Sequence, residues 1–268
     1  MRSIISAFQK FILFFVSNPL SIKIYEWILK GQIKGGEVPS HIAVILDGNR
    51  RWAMFRNLYP TDGHLEGAKK AEEFLEWCGE IEGIKTITLY VFSTENFRRP
   101  PEEVERLMEL IKEYLEKLAM DKRIHEKQTR VKVIGRIDML PPEVREAVRK
   151  VEEATKNYDK RYLNLAIAYG GRAEILDALR KVASEVKAGR LSPENINEEI
   201  FEKFLYTSFL PNPHPDLIIR TSGEERLSNF LLWQGAYSEL CFLDVYWPSF
   251  GKKDLYRAIR IYQHRKRR

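Results

Sequence analysis

Cysteine is nearly absent. Cys78 and Cys241 are the only two in 268 residues, which excludes a disulfide framework and leaves no zinc-binding pattern. A reducing compartment follows, and the expected location is cytoplasmic. Long apolar runs are missing too. Phe11 to Val16 is apolar all round, but Ser17, Asn18 and Pro19 stop it. That is far short of the roughly 20 residues that cross a bilayer. No small-residue cleavage site follows a clean apolar core, so the start of the chain does not read as a signal peptide. There is no Gly-x-Gly-x-x-Gly and no Gly-x-x-x-x-Gly-Lys, which removes support for a dinucleotide site or a P-loop. Internal repeats and low-complexity segments are also lacking.

What remains is a well-mixed chain. Charged residues make up 31% and the hydrophobic set 44%, a balance that fits a globular protein and not a disordered one. The length suits one large domain or two small ones. Net charge is +6 with a pI near 9.1. Such a surplus suits a polyanionic ligand, a nucleic acid or an anionic membrane surface, and charge alone does not choose. Part of it is local, since Arg265-Lys266-Arg267-Arg268 closes the chain.

Residues 1–38 differ from the rest. Phe8, Phe11, Ile12 and Phe15 share a helical face, and Ile22, Ile24, Tyr25, Ile28 and Leu29 make a second amphipathic stretch. Both read as short helices that lie on something. A membrane surface is one option, with Arg2, Lys10 and Lys23 facing anionic lipid. Packing on this domain or on a partner chain is the other. Gly31 and Gly35-Gly36 open a linker near residues 31–39, so the boundary falls after residue 38 and the main domain spans 39–268.

That domain is organised around His41 to Trp52. His41-Ile42-Ala43-Val44-Ile45-Leu46 reads as a buried strand. It breaks into Asp47-Gly48-Asn49-Arg50-Arg51. In an open α/β sheet, ligands bind where a strand's carboxyl end meets the next loop. Gly48 lets the backbone turn tightly and approach a ligand. Asn49, Arg50 and Arg51 supply donors for an anion. A carboxylate beside anion donors suggests a phosphorylated ligand carried with a divalent metal. The plainer alternative is a strand end followed by a solvated basic turn, with Asp47 capping the next helix.

Further strands are expected at Ile84–Phe92, Val131–Gly135, Tyr162–Tyr169, Asp216–Arg220 and Leu240–Val245. Helices are expected at 64–82, from Pro101, at 143–157, 172–188, near 197–206, at Leu227–Tyr237 and from Lys252. Ala68, Ala71, Leu75 and Cys78 are expected to be buried. In the helix after Pro101, Leu107, Leu110, Ile111, Tyr114, Leu115 and Leu118 recur at spacings of three and four. Such a stripe is core by default. The helix at 143–157 is rich in Glu, Lys and Arg and reads as solvent-facing. Six strands alternating with helices give an α/β fold, a mostly parallel sheet covered on both faces. Two basic sets then gather at one sheet edge. Asp47, Asn49, Arg50, Arg51 and His64 form one. Arg220, Arg226 and Ser228 form the other, with Glu239 at the start of the sixth strand. A diphosphate carries about three negative charges and needs several charge-assisted bonds. Two such sets suit two diphosphates.

The run ending Asp47-Gly48-Asn49-Arg50-Arg51-Trp52 resembles the signature of the cis-prenyltransferases, the undecaprenyl and dehydrodolichyl diphosphate synthases. Four further segments match in order: Gly63-His64, Phe92 to Pro100, Asn164 to Arg172, and Asp216 to Glu239 with Ile219-Arg220-Thr221-Ser222-Gly223 and Arg226-Leu227-Ser228-Asn229-Phe230. They cover the chain from about residue 38 to its end, and together they are far more specific than any one. The resemblance implies an enzyme that extends an allylic diphosphate with isopentenyl diphosphate, each new double bond cis, in a homodimer that uses Mg²⁺ and feeds a glycosyl carrier lipid. The starter would be geranylgeranyl or farnesyl diphosphate. The leucine stripe would line an apolar tunnel for the growing chain. Asp47 would be the metal-linked carboxylate, and Gly48, Asn49, Arg50, Arg51, Trp52 and His64 would surround the allylic diphosphate. Arg220, Arg226, Leu227 and Ser228 would bind isopentenyl diphosphate, and Glu239 would complete the metal site, in one version from a neighbouring subunit. Ser93, Thr94, Glu95, Asn96, Phe97 and Arg99 match a segment that orders over the substrates. Asn96 matches a position linked to proton removal. An amide is not a competent base, so its expected part is to position a group.

Two positions depart from the pattern. Pro60 stands where bacterial members usually carry an arginine, with Arg56 a candidate replacement, and Glu225 stands where a histidine often precedes Arg226. The doubled arginine at 50–51 and Arg220-Thr221-Ser222-Gly223 look more like archaeal and eukaryotic members. Two other readings compete. A non-catalytic partner subunit should have lost Asp47 and the diphosphate arginines, which are present. A nucleic-acid binder explains the pI and the basic tail but not the acid among the arginines, and no nucleic-acid motif occurs.

Overall fold

A computed structural model describes residues 18–265 of the chain. The expected helix through Phe8 and Phe15 and the last three basic residues lie outside them. The chain divides into two compact units, residues 39–249 and a unit made from the two chain ends.

In the smaller unit α1 (Pro19–Ile33) starts at Asn18, whose side chain accepts from the Leu20 N–H at 2.9 Å. This satisfies a donor that the helix itself leaves open. The helix packs along a second one near the C-terminus, residues Lys252–Arg265. Leu29 and Ile33 are buried, as are Leu255, Ala258, Ile259 and Tyr262, while Leu20, Ile24, Trp27 and Ile28 are exposed.

The larger unit is built on one sheet of six strands: β1 (His41–Ile45), β2 (Thr86–Ser93), β3 (Thr129–Ile134), β4 (Arg161–Tyr169), β5 (Leu217–Arg220) and β6 (Glu239–Phe242). The order is β3-β4-β2-β1-β5-β6, and every pairing is parallel. Parallel strands are covered on both faces, which is why β1 and β5 are continuous apolar runs, buried along their whole length, and not alternating ones. The chain leaves β1 toward β2 and later returns to β5 on β1's other side. The topological switch point therefore lies between β1 and β5. That is where open α/β sheets bind ligands, outside the strands' carboxyl ends.

Helices follow the strands: α2 (Asn49–Phe55), α3 (Pro60–Gly79), α4 (Pro101–Met120), α5 (Lys122–Glu126), α6 (Pro142–Thr155), α7 (Gly171–Lys187) and α8 (Glu198–Glu202), with the C-terminal helix as α9. Three expectations change. The helix at Leu227–Tyr237 does not form. Ser228, Asn229 and Leu231 have φ of +48°, +65° and +42°, and the left-handed region ends an α-helix. These residues make successive turns instead. The charged helix α6 is not solvent-facing throughout, because Val144, Ala147, Val148 and Val151 are buried. On α3, Cys78 is buried as expected, whereas Ala68, Ala71 and Leu75 are half-buried because they line a groove against α4. Trp247, in a turn after β6, fixes α3 by donating its Nε1–H to the Gly67 carbonyl at 2.7 Å and by an edge-on contact with Phe74.

Candidate active site

The carboxyl ends of β1 and β5 lie side by side, Ile45 level with Arg220. Asp47 follows β1 two residues later. Its backbone is held by Thr221, whose hydroxyl accepts from the Asp47 N–H at 3.0 Å and donates to the Asp47 carbonyl at 2.7 Å. Gly48 turns the chain with φ +104°, and a Cβ there would come within 2.7 Å of the Tyr246 ring. Glycine is therefore required at this turn on two counts, conformation and space.

The Asp47 carboxylate sits between two arginines. Arg220 Nη2 donates to Oδ2 at 2.8 Å, and Arg51 Nη2 donates to Oδ1 at 3.3 Å. The Arg220 side chain is 5% exposed. Its Nη1 donates to Ser228 Oγ at 2.6 Å and to the Arg226 carbonyl, and its buried Nε has no partner among the described residues. Glu224 bridges the two basic sets, accepting from Arg51 at 2.9 Å and pairing with Arg226 at 2.6 Å.

A second carboxylate holds the other wall. Glu103, on α4, is 9% exposed. Its Oε1 meets His64 Nε2 at 3.1 Å, Arg99 Nη1 at 3.2 Å and Arg50 Nε at 3.7 Å. Burial pushes the His64 imidazole below its ordinary pKa, and Arg99 and Arg50 push the same way against the pull of Glu103. His64 is therefore neutral at neutral pH. Its Nε2 carries the hydrogen, because a carboxylate only accepts.

These groups surround a cleft of about 730 Å³ lined by Asp47, Gly48, Asn49, Arg50, Arg51, His64, Ser93, Glu95, Asn96, Arg99, Arg220 and Ser228. Asn49 Oδ1 is buried without a partner among the described residues. Leu46, Asn49, His64, Val91 and Leu107 also border an apolar groove of about 130 Å³ between α3 and α4, floored by Leu89, Leu165 and Ile167. The α4 stripe of Leu110, Ile111, Tyr114 and Leu118 forms one wall.

The other expected residues stand elsewhere. Trp52 donates its Nε1–H to Ser249 Oγ at 2.9 Å and carries Arg56 stacked on its face at 4.3 Å, so Arg56 is engaged away from the cleft that Pro60 leaves short of an arginine. Phe97 packs edge-on against Phe92 at 4.9 Å. Thr94, Arg226 and Leu227 do not line the cleft. Asn96 Oδ1 accepts from the Ser93 N–H at 3.0 Å, which closes the turn of the short 3₁₀ helix Thr94–Arg98. Glu239 begins β6 level with Leu217, at the opposite end of the sheet from Arg220, so one chain does not bring it to Asp47. Among the described residues no group of three or more acidic, His or Cys side chains could hold a metal by itself. Sequence reasoning did not select Glu103, Glu224 or Asn229. The first lies on a helix that reads as plain amphipathic sequence, and only the fold brings it to His64.

Comparison with known proteins agrees with this geometry. The family profile for undecaprenyl diphosphate synthases matches residues 45–268. A tritrans,polycis-undecaprenyl-diphosphate synthase (geranylgeranyl-diphosphate specific) from Methanopyrus kandleri is 54% identical over 246 residues, covering 92% of this chain and 90% of its own. The protein of the same name from Methanocaldococcus jannaschii is 52% identical, covering 95% and 90%. Among solved structures, lavandulyl diphosphate synthase from Lavandula x intermedia, in complex with dimethylallyl diphosphate, superposes with a TM-score of 0.80 at 35% identity, covering 84% of this chain and 95% of its own. A probable undecaprenyl diphosphate synthase from Campylobacter jejuni superposes at 0.68 with 34% identity, covering 86% and 97%. A carboxylate clamped by two arginines at the switch point, a cleft lined by cations, and matches of this extent place the chain in one family: it belongs to the undecaprenyl diphosphate synthases and is a cis-type prenyl transferase.

Proposed function

We propose that the protein condenses isopentenyl diphosphate onto an allylic diphosphate, with geranylgeranyl diphosphate preferred over farnesyl diphosphate, and makes a long cis-polyprenyl diphosphate that serves as a glycosyl carrier lipid precursor. The observation that carries this is the adjacency of two spaces: a cation-lined cleft around Asp47 and an apolar groove that share Leu46, Asn49, His64, Val91 and Leu107 in their walls. A diphosphate head and a hydrocarbon tail need that pair. The starter preference rests on the names of the archaeal relatives.

In the reaction the C1–O bond of the allylic diphosphate breaks, C4 of isopentenyl diphosphate bonds to C1, and a proton leaves C2 of the incoming unit as the new double bond forms. Arg50, Arg51, Asn49, the Gly48 turn and Arg99 hold the leaving diphosphate, with His64 bound to Glu103 behind them. Arg220 and Ser228 hold isopentenyl diphosphate. Fixed donors aimed at charge that develops on a leaving group usually supply the greater part of an enzyme's rate acceleration. Asn96 positions the proton-accepting region from its place in the turn.

The residues fit Mg²⁺ of the kind bound by one or two carboxylates plus substrate phosphates and water. Asp47 would hold it, and when bound the ion supplies charge neutralisation at the departing diphosphate. Joining Glu239 to that site needs a second copy of the chain, which agrees with a homodimer. Leu176 and Leu179 on α7, both about half exposed, suit such an interface. No described helix is long and apolar enough to cross a membrane; the exposed face of α1 is the candidate for a peripheral membrane contact.

Incubating the pure protein with Mg²⁺, labelled isopentenyl diphosphate and either starter tests the reading. A ladder of long lipids, faster from geranylgeranyl diphosphate and lost in Asp47→Ala, is expected. No lipid from either starter, with a folded protein, would overturn it in favour of a non-catalytic subunit.

A further inference from the structure

We propose that Asn229 is a positioning residue that ties the Ser93–Arg98 segment to the Arg220 side of the cleft, so that an anion bound on one side is felt on the other. The proposal rests on the two-diphosphate reading above. Asn229 lines the cleft and lies in the left-handed region with φ +65°, between Ser228 at +48° and Leu231 at +42°. Asparagine tolerates this conformation better than most residues. Its side-chain amide and its main-chain carbonyl are engaged there. Nδ2 donates to Glu95 Oε1 at 2.9 Å, Oδ1 accepts from the Arg172 N–H at 2.9 Å, and the main-chain carbonyl accepts from the Gly171 N–H at 2.7 Å. A Cβ on Gly170 would come within 2.7 Å of Nδ2, so the amide is seated against the start of α7.

One residue earlier, Ser228 Oγ accepts from Arg220, and Arg220 in turn donates to Asp47. A continuous path thus runs Glu95–Asn229–Ser228–Arg220–Asp47, from the segment expected to order over the substrates, through the Arg220 set, to Asp47. Glu95 sits on a five-residue 3₁₀ segment. Hydrogen-bond geometry in such segments is poor, and they rarely stand alone. The segment's own fastening is the Asn96-to-Ser93 bond. The contact from Asn229 to Glu95 is what joins it to the Arg220 loop.

Three variants test this: Asn229→Asp, Glu95→Gln and the two together. Asn229→Asp keeps the acceptor for the Arg172 N–H, at a helix start that favours negative charge, and sets a carboxylate against Glu95. Glu95→Gln weakens the same contact from the other side. The double variant restores a donor–acceptor pair of reversed polarity. The single variants are expected to lose about tenfold or more in kcat/KM, the usual scale for a hydrogen bond to a charged group. The loss should fall on the KM of both substrates, with melting temperature unchanged and most of it recovered in the double variant. Losses that simply multiply in the double variant, or a KM change for one substrate alone, would overturn the proposal. An inactive wild-type protein would instead sink the synthase reading. The test then passes to the melting-temperature rise given by inorganic diphosphate across the same four proteins: recovery in the double variant supports the tie, and its absence overturns it.

Discussion

Two carboxylates at this site do different work, and their settings tell them apart. Asp47 stands at the cleft with an arginine on each oxygen. Glu103 stands behind His64, Arg99 and Arg50 and gathers all three on one oxygen. Asp47 was legible in the sequence because a strand ending in Asp-Gly-Asn-Arg-Arg changes chemistry abruptly. Glu103 was not, since its neighbours on α4 include Glu102, Glu105 and Glu109, and nothing local separates it from them. Burial holds the Arg99 pKa below its ordinary range although Glu103 raises it, so the carboxylate is what keeps two guanidinium groups close together before any substrate arrives. Glu103→Gln keeps the shape and removes the charge. Hydrogen bonds to charged groups are worth about 1.5–3 kcal/mol, so the KM for the allylic diphosphate should rise about tenfold or more. The KM for isopentenyl diphosphate should move little. Steady-state kinetics with each substrate varied in turn decides it, and equal shifts in both would show that Glu103 merely supports the fold. His41 makes a different prediction. It is fully buried, with Nε2 at Thr88 Oγ1 and Nδ1 at the Asn212 carbonyl, near Asp216 and His214. Burial lowers its pKa from 6.5 to about 4. The folded state therefore keeps it neutral while the unfolded chain takes up a proton. Its stabilisation is complete above pH 6.5 and is lost as the pH falls toward 4. The linkage amounts to about 2 kcal/mol between pH 7 and 5. Denaturant melts of the wild type and His41→Gln at the two pH values should show the wild type losing about that much more than the variant.

At the level of elements, the six strands and their parallel arrangement were readable because parallel strands buried on both faces leave long β-branched runs, while their order in the sheet was not. Nor was the turn-rich stretch after β5. Its composition, Leu227 to Tyr237, is apolar and regular enough for a helix, and of the three left-handed residues that prevent one only Asn229 carries a weak sequence mark, Ser228 and Leu231 none. They are held by contacts from elsewhere: the Tyr90 hydroxyl donates to the Ser228 carbonyl, and Phe230 stacks on the Tyr90 ring at 4.6 Å. The junction of α2 and α3 was only partly readable, with α3 beginning at Pro60 and not at His64. Pro60 occupies a first-turn position, where its missing N–H is no loss. Gly63 then passes so close to α2 that a Cβ would lie 2.1 Å from the Asn49 carbonyl oxygen. That oxygen is backbone and does not swing aside. Gly63→Ala should therefore push the two helices apart, displace Asn49 and His64 together, and lower both melting temperature and activity. A melting temperature unchanged with full activity would show that the α2–α3 spacing is not what sets the cleft.

For the whole molecule, the consequence of an all-parallel sheet is that every strand ends at one edge. Asp47, Ser93 and Arg220 come from three different strands, yet they meet because β2, β1 and β5 are neighbours. The apolar groove meets the same edge, running from His64 and Leu107 beneath α3 and α4 toward Leu118. The residues that line it include small ones on α3, Ala68 and Ala71, facing larger ones on α4. Small against large leaves space, where large against large would have closed it into ordinary core. This is why the leucine stripe on α4 reads as core from its spacing and yet borders a groove in the fold. If the growing chain lies there, filling the groove from the α3 side should stop elongation early without touching the diphosphate cleft. Ala71→Phe adds a ring opposite Tyr114 and Leu110. The expected outcome is a shift of products to shorter chains with the rate of the first condensation nearly unchanged, read by chromatography of labelled, dephosphorylated lipids. Products of wild-type length would place the chain along some other path. A fall in the first condensation itself, by contrast, would mean that the inserted ring had distorted the cleft, and Ala71→Leu, smaller and more readily packed, would then separate the two effects.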